Sequence, residues 1–294
     1  DSRCRNSNHE VMLKLKKLQA KGGIITGMNV LEKLPVPPDF SYANQQKGEL
    51  DYIHYAKNGI DFYLVRNTTD QWISHVCAFR QSEKIPEIWD PVSGNNNPVT
   101  IYEQASNQIK LPISLPPYGS CFVVFSTSTT TPHFNNMTAI ASVTPRLEYT
   151  SGGFHLWDEG IFEAKKGNNK ITIDNKTAVQ TLNGPWQLTF PKDWGAPEST
   201  TFPQLVSWSK AEQPGIRYFS GTAVYQQTFQ FKNIPSSRIY LDLGKVAEVG
   251  EVWLNGKSAG IVWTPPYRID ITNLVKPGLN TLKIEVANTW SNRL

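Results

Sequence analysis

The sequence predicts a mainly β protein of two β-sandwich units preceded by a short helix, on three observations. The first is apolar residues recurring with a period of two, as where Ile239, Leu241 and Leu243 alternate with Tyr240 and Asp242. Leu282, Ile284 and Val286 alternate in the same way with Lys283, Glu285 and Ala287. The second is a set of turn dipeptides between such runs: Asn58-Gly59, Ser93-Gly94, Asn255-Gly256 and Pro277-Gly278. The third is that one stretch alone has a persuasive helical period. There Val11, Met12, Leu15 and Leu18 share a face, with Lys14, Lys16, Lys17 and Lys21 largely elsewhere.

Taken in order, residues 1–47 read as that helix and a linker remaining from a preceding domain. Residues 48–126 read as the first sandwich, with strands around Asp51 to Tyr55, Ile60 to Val65, Ile73 to Phe79, Thr100 to Tyr102 and Cys121 to Phe125. The polar run from Ser126 to Asn136 is the best linker candidate. Residues 127–180 form a connector with short strands, among them ITID from Ile171 to Asp174. The second sandwich spans 181–294. Within it Val252 to Leu254 leads into Asn255-Gly256, whose tolerance of positive φ suits a two-residue hairpin, and the chain returns through Ile261 to Trp263.

Composition narrows the function classes. A hydrophobic share of 39% is enough for sizeable cores, and no apolar run approaches the about 18 residues of a membrane span. The net charge of +4 is spread along the chain, its one dense cluster lying on the short helix, so neither a nucleic acid nor a membrane is an expected partner. Cys4, Cys77 and Cys121 lack metal-ligand spacing; the last two sit in apolar strand-like runs and read as buried thiols, a cross-strand disulfide being the alternative. Sequons at Asn67, Asn136 and Asn175 do not by themselves establish a secretory route, and Asp1 in first place fits a processed or an excised chain.

Catalytic constellations are not evident. Asp158 and Glu159 are adjacent and project differently, so they read as loop carboxylates rather than the facing pair of glycoside hydrolysis. Glu248 and Glu251 read as a solvated turn, and His9, His54, His75, His133 and His155 have no paired spacing. No nucleophile elbow, phosphate-cradling glycine loop or H-E-x-x-H pair occurs. A calcium ion is conceivable at strand ends, with Asp242, Asp270 and Glu285 as guesses, but no spacing identifies one; no cofactor is expected.

The nine tryptophans carry more meaning, because an indole face can stack on the apolar C–H face of a sugar while nearby amides and charges hold its hydroxyls. Trp186 and Trp253 lie inside strand patterns and read as core. Trp263 precedes Thr264-Pro265-Pro266, where a strand gives way to a rigid loop, and Tyr267 and Arg268 add a second ring and a forked donor. Trp290, Asn292 and Arg293 lie at the chain end. Trp263, Tyr267, Arg268, Trp290 and Arg293 are therefore the candidate carbohydrate-binding residues, with an interdomain seal as the competing role for the same chemistry.

These motifs also carry a family resemblance. The run LDLGKVAEVGEVWLNGKSAGIVWTPPYRIDIT, a Pro-Gly turn and LKIEVANTWSNRL, preceded by Trp186, Trp208 and IRYFSGTAVYQQTF, resemble the galactose-binding-like jelly roll of family 2 glycoside hydrolases, in the version that closes family 106 α-L-rhamnosidases. Earlier segments resemble the region after the catalytic part of family 106: PPDF at Pro37, DYIHYAKNGIDFYLVRNTTD at Asp51, FRQSEKIPEIWDPVSG at Phe79 and PPYGSCFVVF at Pro116. Tyr55 departs from the arginine that often follows the histidine there.

The resemblance implies a C-terminal, non-catalytic piece of an exported bacterial enzyme that removes terminal α-L-rhamnose from plant polysaccharide. Its acid and base would lie on an N-terminal (β/α) barrel, which needs about 250 residues and has no room here. The expected partners are carbohydrate and that preceding barrel. An autonomous carbohydrate-binding module and a purely structural scaffold are the alternatives.

Overall fold

The computed structural model describes residues 13–14, 16–18, 20–22, 37–43, 47–105, 107–127, 132–139, 144–232, 234–235 and 237–290. Of the expected N-terminal helix, Leu13, Lys14, Lys16, Lys17, Leu18 and Ala20 are helical, and Leu13 and Leu18 are exposed. Val11, Met12 and Leu15 lie outside the described residues, as does Cys4.

The first sandwich packs two antiparallel sheets. One contains Phe40–Tyr42, Ile73–Phe79, Gln108–Leu115 and Glu103–Ala105; the other contains Leu50–Lys57, Ile60–Asn67, Ser120–Ser126, Ile85–Trp89 and Asn96–Pro98. Alternation puts Ile109, Leu111, Ile113 and Leu115 of one sheet and Tyr63, Val65, Val123 and Phe125 of the other into a common core with Phe40, Cys77 and Phe79. Cys77 and Cys121 are free, buried thiols, and burial pushes both up, Cys121 to about 12, so neither is a thiolate nucleophile at neutral pH.

The stretch after this sandwich belongs to the same core. The hairpin Leu147–Thr150 with Gly153–Leu156, and the sheet of Asn136–Ala139, Gly160–Lys166 and Asn169–Asn175, contribute Met137, Leu147, Tyr149, Leu156, Phe162 and Ala164. Tyr149 donates its hydroxyl to the carbonyls of Ile101 and Pro112, at 3.2 and 3.1 Å.

A six-stranded antiparallel sheet dominates the second sandwich, in the order Ser199–Phe202, Trp186–Thr189, Thr222–Phe231, Gly278–Ala287, Val249–Leu254 and Lys257–Val262. The pair Tyr240–Asp242 and Arg268–Asp270 forms a small second layer. Asn255 and Gly256 have φ of 54° and 79° and close the expected hairpin. The core holds Trp186, Leu188, Phe190, Trp208, Phe219, Val252, Leu254, Leu282 and Ile284.

Two expectations are corrected. Thr100 to Tyr102 is no strand: Ile101 makes a single bridge to Phe134, and the segment is apolar because Ile101 and Tyr102 are buried. Trp253 is not core, since Val252 and Leu254 take the inward positions and leave its ring outside with the Lys283 ammonium 3.8 Å from its centroid. A three-residue turn at Trp208–Lys210 and the short helix Pro214–Arg217 also interrupt what the sequence suggested was all β after the first helix.

Candidate functional site

Of the five predicted contact residues, Trp263, Tyr267, Arg268 and Trp290 are described, and their surroundings differ. Trp263 follows strand Lys257–Val262 and is 55% exposed, as a surface contact would be. Tyr267 is half-buried, its carbonyl accepting a hydrogen bond from the Leu243 amide at 2.8 Å. Arg268 is committed elsewhere: its Nε donates to Asp242 at 2.7 Å, and its guanidinium stacks 4.9 Å from the Trp157 ring. Arg293, like Asn292, lies outside the described residues. Trp290 is 78% exposed and lines a separate cleft with Trp194.

Arg268 is thus part of a seal between the two sandwiches. From the hairpin side come Glu148, His155 and Trp157; from the jelly-roll side come Arg238, Tyr240, Asp242, Arg268 and Asp270. Tyr240 packs against Trp157 and His155 with ring centroids 4.8 and 5.2 Å apart, and Arg238 pairs with Asp270 at 3.6 Å. The guesses for a cation are accounted for in the same way: Asp242 faces Arg268, Asp270 faces Arg238 and Glu285 faces Lys283 at 3.0 Å. No group of three metal-ligating side chains occurs among the described residues.

Burial acts on two titratable groups of the seal with opposite signs, holding the Glu148 carboxyl above its ordinary value and His155 below its own. Burial, then the Arg238 charge, push His155 below the ordinary histidine value, so the fold favours its neutral form. The unfolded chain takes up the proton first as the pH drops, so stability present above about 6.5 is lost toward the depressed folded value. Glu148 works in the opposite sense, so the His155 contribution is read as a difference: between about pH 7 and about pH 5 the urea midpoint of His155→Gln is expected to fall less, or rise more, than that of the native chain. An unchanged slope in the variant would remove His155 from the account.

A second cluster was not visible in the sequence, although the segments that resemble family 106 contain it. His54 lies between two carboxylates, Asp39 at 2.9 Å and Asp61 at 2.7 Å, and stacks on Tyr63. Arg80 pairs with Asp39 at 3.2 Å and Lys84 with Asp61. Burial opposes ionisation of Asp61, but hydrogen bonds from Lys84 and His54 outweigh it and hold the carboxyl below its usual range. Each carboxylate is matched by a cation, Arg80 for Asp39 and Lys84 for Asp61, so the arrangement clasps the sheet to its neighbouring loops. Asp158 likewise pairs with Arg146 at 2.6 Å, and Glu159 accepts from the Thr177 amide at 3.2 Å.

One more feature lies on the outer face of the first sandwich. Ile53, Tyr55, Phe62, Leu64 and Phe122, with Lys57, line a shallow, largely apolar hollow of about 410 Å³, with Ile53 67% and Tyr55 59% exposed. The alternation that signalled these strands could not say which apolar face would stay uncovered.

Comparisons with known proteins agree with this architecture. The alpha-L-rhamnosidase family model matches residues 8–104, and the glycosyl hydrolase 2 galactose-binding domain-like model matches residues 208–294. The chain is similar to a region of the α-L-rhamnosidases of family 106, ending in a galactose-binding-like domain. A rhamnosidase structure from Novosphingobium sp. PP1Y superposes on 90% of the chain with a TM-score of 0.69 and 31% identity. A Formosa agariphila protein with a provisional beta-glucuronidase name is 47% identical over 141 residues, 46% of this chain. The chain spans 22% of the former and the match 12% of the latter. A Ruminococcus gnavus β-glucuronidase aligns over 37% of the chain at 24% identity and a TM-score of 0.33.

Proposed function

We propose that this chain is the non-catalytic β-sandwich portion of an α-L-rhamnosidase-like glycoside hydrolase that acts on plant polysaccharide and is exported from a bacterium. Its role is to support a catalytic barrel elsewhere in the parent protein. The likeness of 90% of the chain to 22% of a rhamnosidase carries this reading. The matched cations at Asp39, Asp61 and Asp158 fit it, because a general acid must be free to exchange its proton with substrate. No helix of the described residues is long and apolar enough to cross a membrane.

The apolar hollow around Ile53 and Tyr55 is the surface proposed to meet that barrel. An exposed cluster of this kind on a sheet face is a contact site or an aggregation hazard, and burial against a neighbouring domain resolves it. Mixed with the remainder of the Novosphingobium rhamnosidase, separately expressed without the aligned region, the chain is expected to associate. Ile53→Lys is expected to weaken that association at least about tenfold, because it replaces the most exposed apolar side chain of the hollow by a second ammonium beside Lys57. Equal affinity for the variant, measured by calorimetry, would place the interface elsewhere. A carbohydrate-binding module is the second reading, favoured by the exposed rings of Trp263 and Trp290.

A further inference from the structure

Trp194, from the loop after Trp186–Thr189, and Trp290, after the last strand, are nearly a hundred positions apart in sequence yet line one cleft of about 240 Å³ with Asp193 and Ser220. Both indoles keep much of their surface in water, at 52% and 78% exposure. Such wide exposure of two neighbouring large rings is unusual unless something covers them. The volume lies below the range of drug-sized pockets, about 300 to 1,000 Å³, and suits one sugar ring.

Trp194 is held in place. A Cβ on Gly221, whose φ is +148°, would lie 2.8 Å from the Trp194 ring, so the glycine lets the indole approach the backbone closely. Asn288 fixes that backbone, accepting from the Gly221 amide and donating to the Phe219 carbonyl, each at 2.9 Å. Ser220 is buried at the base of the cleft with its hydroxyl 3.3 Å from the Thr289 carbonyl. The Asp193 carboxylate forms no side-chain hydrogen bond or ion pair among the described residues. Among the described residues the lining therefore combines two ring platforms, a hydroxyl and one acceptor charge.

We propose that this cleft is a binding site for a neutral pyranose, the C–H face stacking on the indoles and the hydroxyls donating to Asp193. The proposal rests on the carbohydrate reading above, and it separates neutral sugars from uronates because Asp193 repels a second carboxylate. Calorimetric or tryptophan-fluorescence titration of the whole chain with L-rhamnose is expected to show millimolar binding, and D-galacturonate to bind at least about tenfold more weakly. Trp194→Ala and Asp193→Asn are each expected to weaken L-rhamnose at least about tenfold, with Val179→Ala, an exposed position outside the lining, unchanged.

Equal binding of galacturonate overturns the neutral class. Loss in Trp263→Ala with Trp194→Ala unaffected overturns the site while leaving carbohydrate binding intact. Absence of binding to the unmutated chain overturns the cleft but not the supporting role, which is read separately from association with the rhamnosidase remainder. Circular dichroism of each variant shows that its fold is retained; Asp193→Asn, a surface change, keeps the test decisive if Trp194→Ala unfolds.

Discussion

Trp208→Ala is expected to cost the second sandwich about 3 to 5 kcal/mol, the range for deleting a large buried aromatic ring. Trp208 is 7% exposed, lies parallel to Tyr225 with centroids 6.5 Å apart and meets Phe190 and Phe219 edge-on at 6.0 and 5.5 Å. Its indole N–H donates to the Tyr225 hydroxyl at 2.6 Å. Removal leaves a cavity that three rigid rings cannot collapse into, and a buried hydroxyl without its donor. Trp208→Phe restores most of the volume but not the donor, so it is expected to recover more than half of the loss. Urea unfolding followed by fluorescence checks this, and a Trp208→Ala loss below about 1 kcal/mol would show that the ring is not central to the core.

The second large effect is expected in the first sandwich, at the buried Asn67. Its side-chain amide donates to the carbonyls of Gln71, Leu115 and Pro116, the first and last at 2.7 Å. Its carbonyl accepts from the Thr69 amide and hydroxyl at 2.9 and 2.8 Å. This amide is 0% exposed, and in the folded protein its nitrogen is committed to backbone, so the sequon there marks a structural residue. Asn67→Ala is expected to cost about 2 to 3 kcal/mol by orphaning buried groups. Asn67→Asp, nearly the same size, is expected to cost at least as much, because a carboxylate oxygen would face three carbonyl oxygens. An aspartate variant as stable as the native protein would show that packing and not hydrogen bonding sets the effect.

The contrast between Asn255 and Trp194 shows what sequence reading could reach. The Asn255-Gly256 hairpin depends on local backbone chemistry, and the structure has the positive φ at both residues. The strands around Leu282 and Ile284 were likewise readable from alternation alone. Trp253 was misread because alternation gives a period without saying which phase is buried; only the inward Val252 and Leu254 decide it. The strand Gln108–Leu115, which is not among the expected strands, alternates Ile109, Leu111, Ile113 and Leu115 and carries Pro112 inside it, a residue rare in central strands. Asp39, His54, Asp61, Arg80 and Lys84, like Trp194 and Trp290, converge only through tertiary folding. The guanidinium of Arg268 is spent on Asp242 and on the Trp157 ring, and Trp157, just after the strand Gly153–Leu156, is more than a hundred positions away in sequence.

The central claim is that this chain supports a glycoside hydrolase without performing its chemistry. Its most direct test is turnover of 4-nitrophenyl α-L-rhamnopyranoside by the purified chain, with and without the Novosphingobium rhamnosidase remainder. The account predicts release of nitrophenol by the chain alone indistinguishable from a protein-free control, and activity only when the remainder is present. Turnover by the chain alone that rises in proportion to its concentration would contradict it.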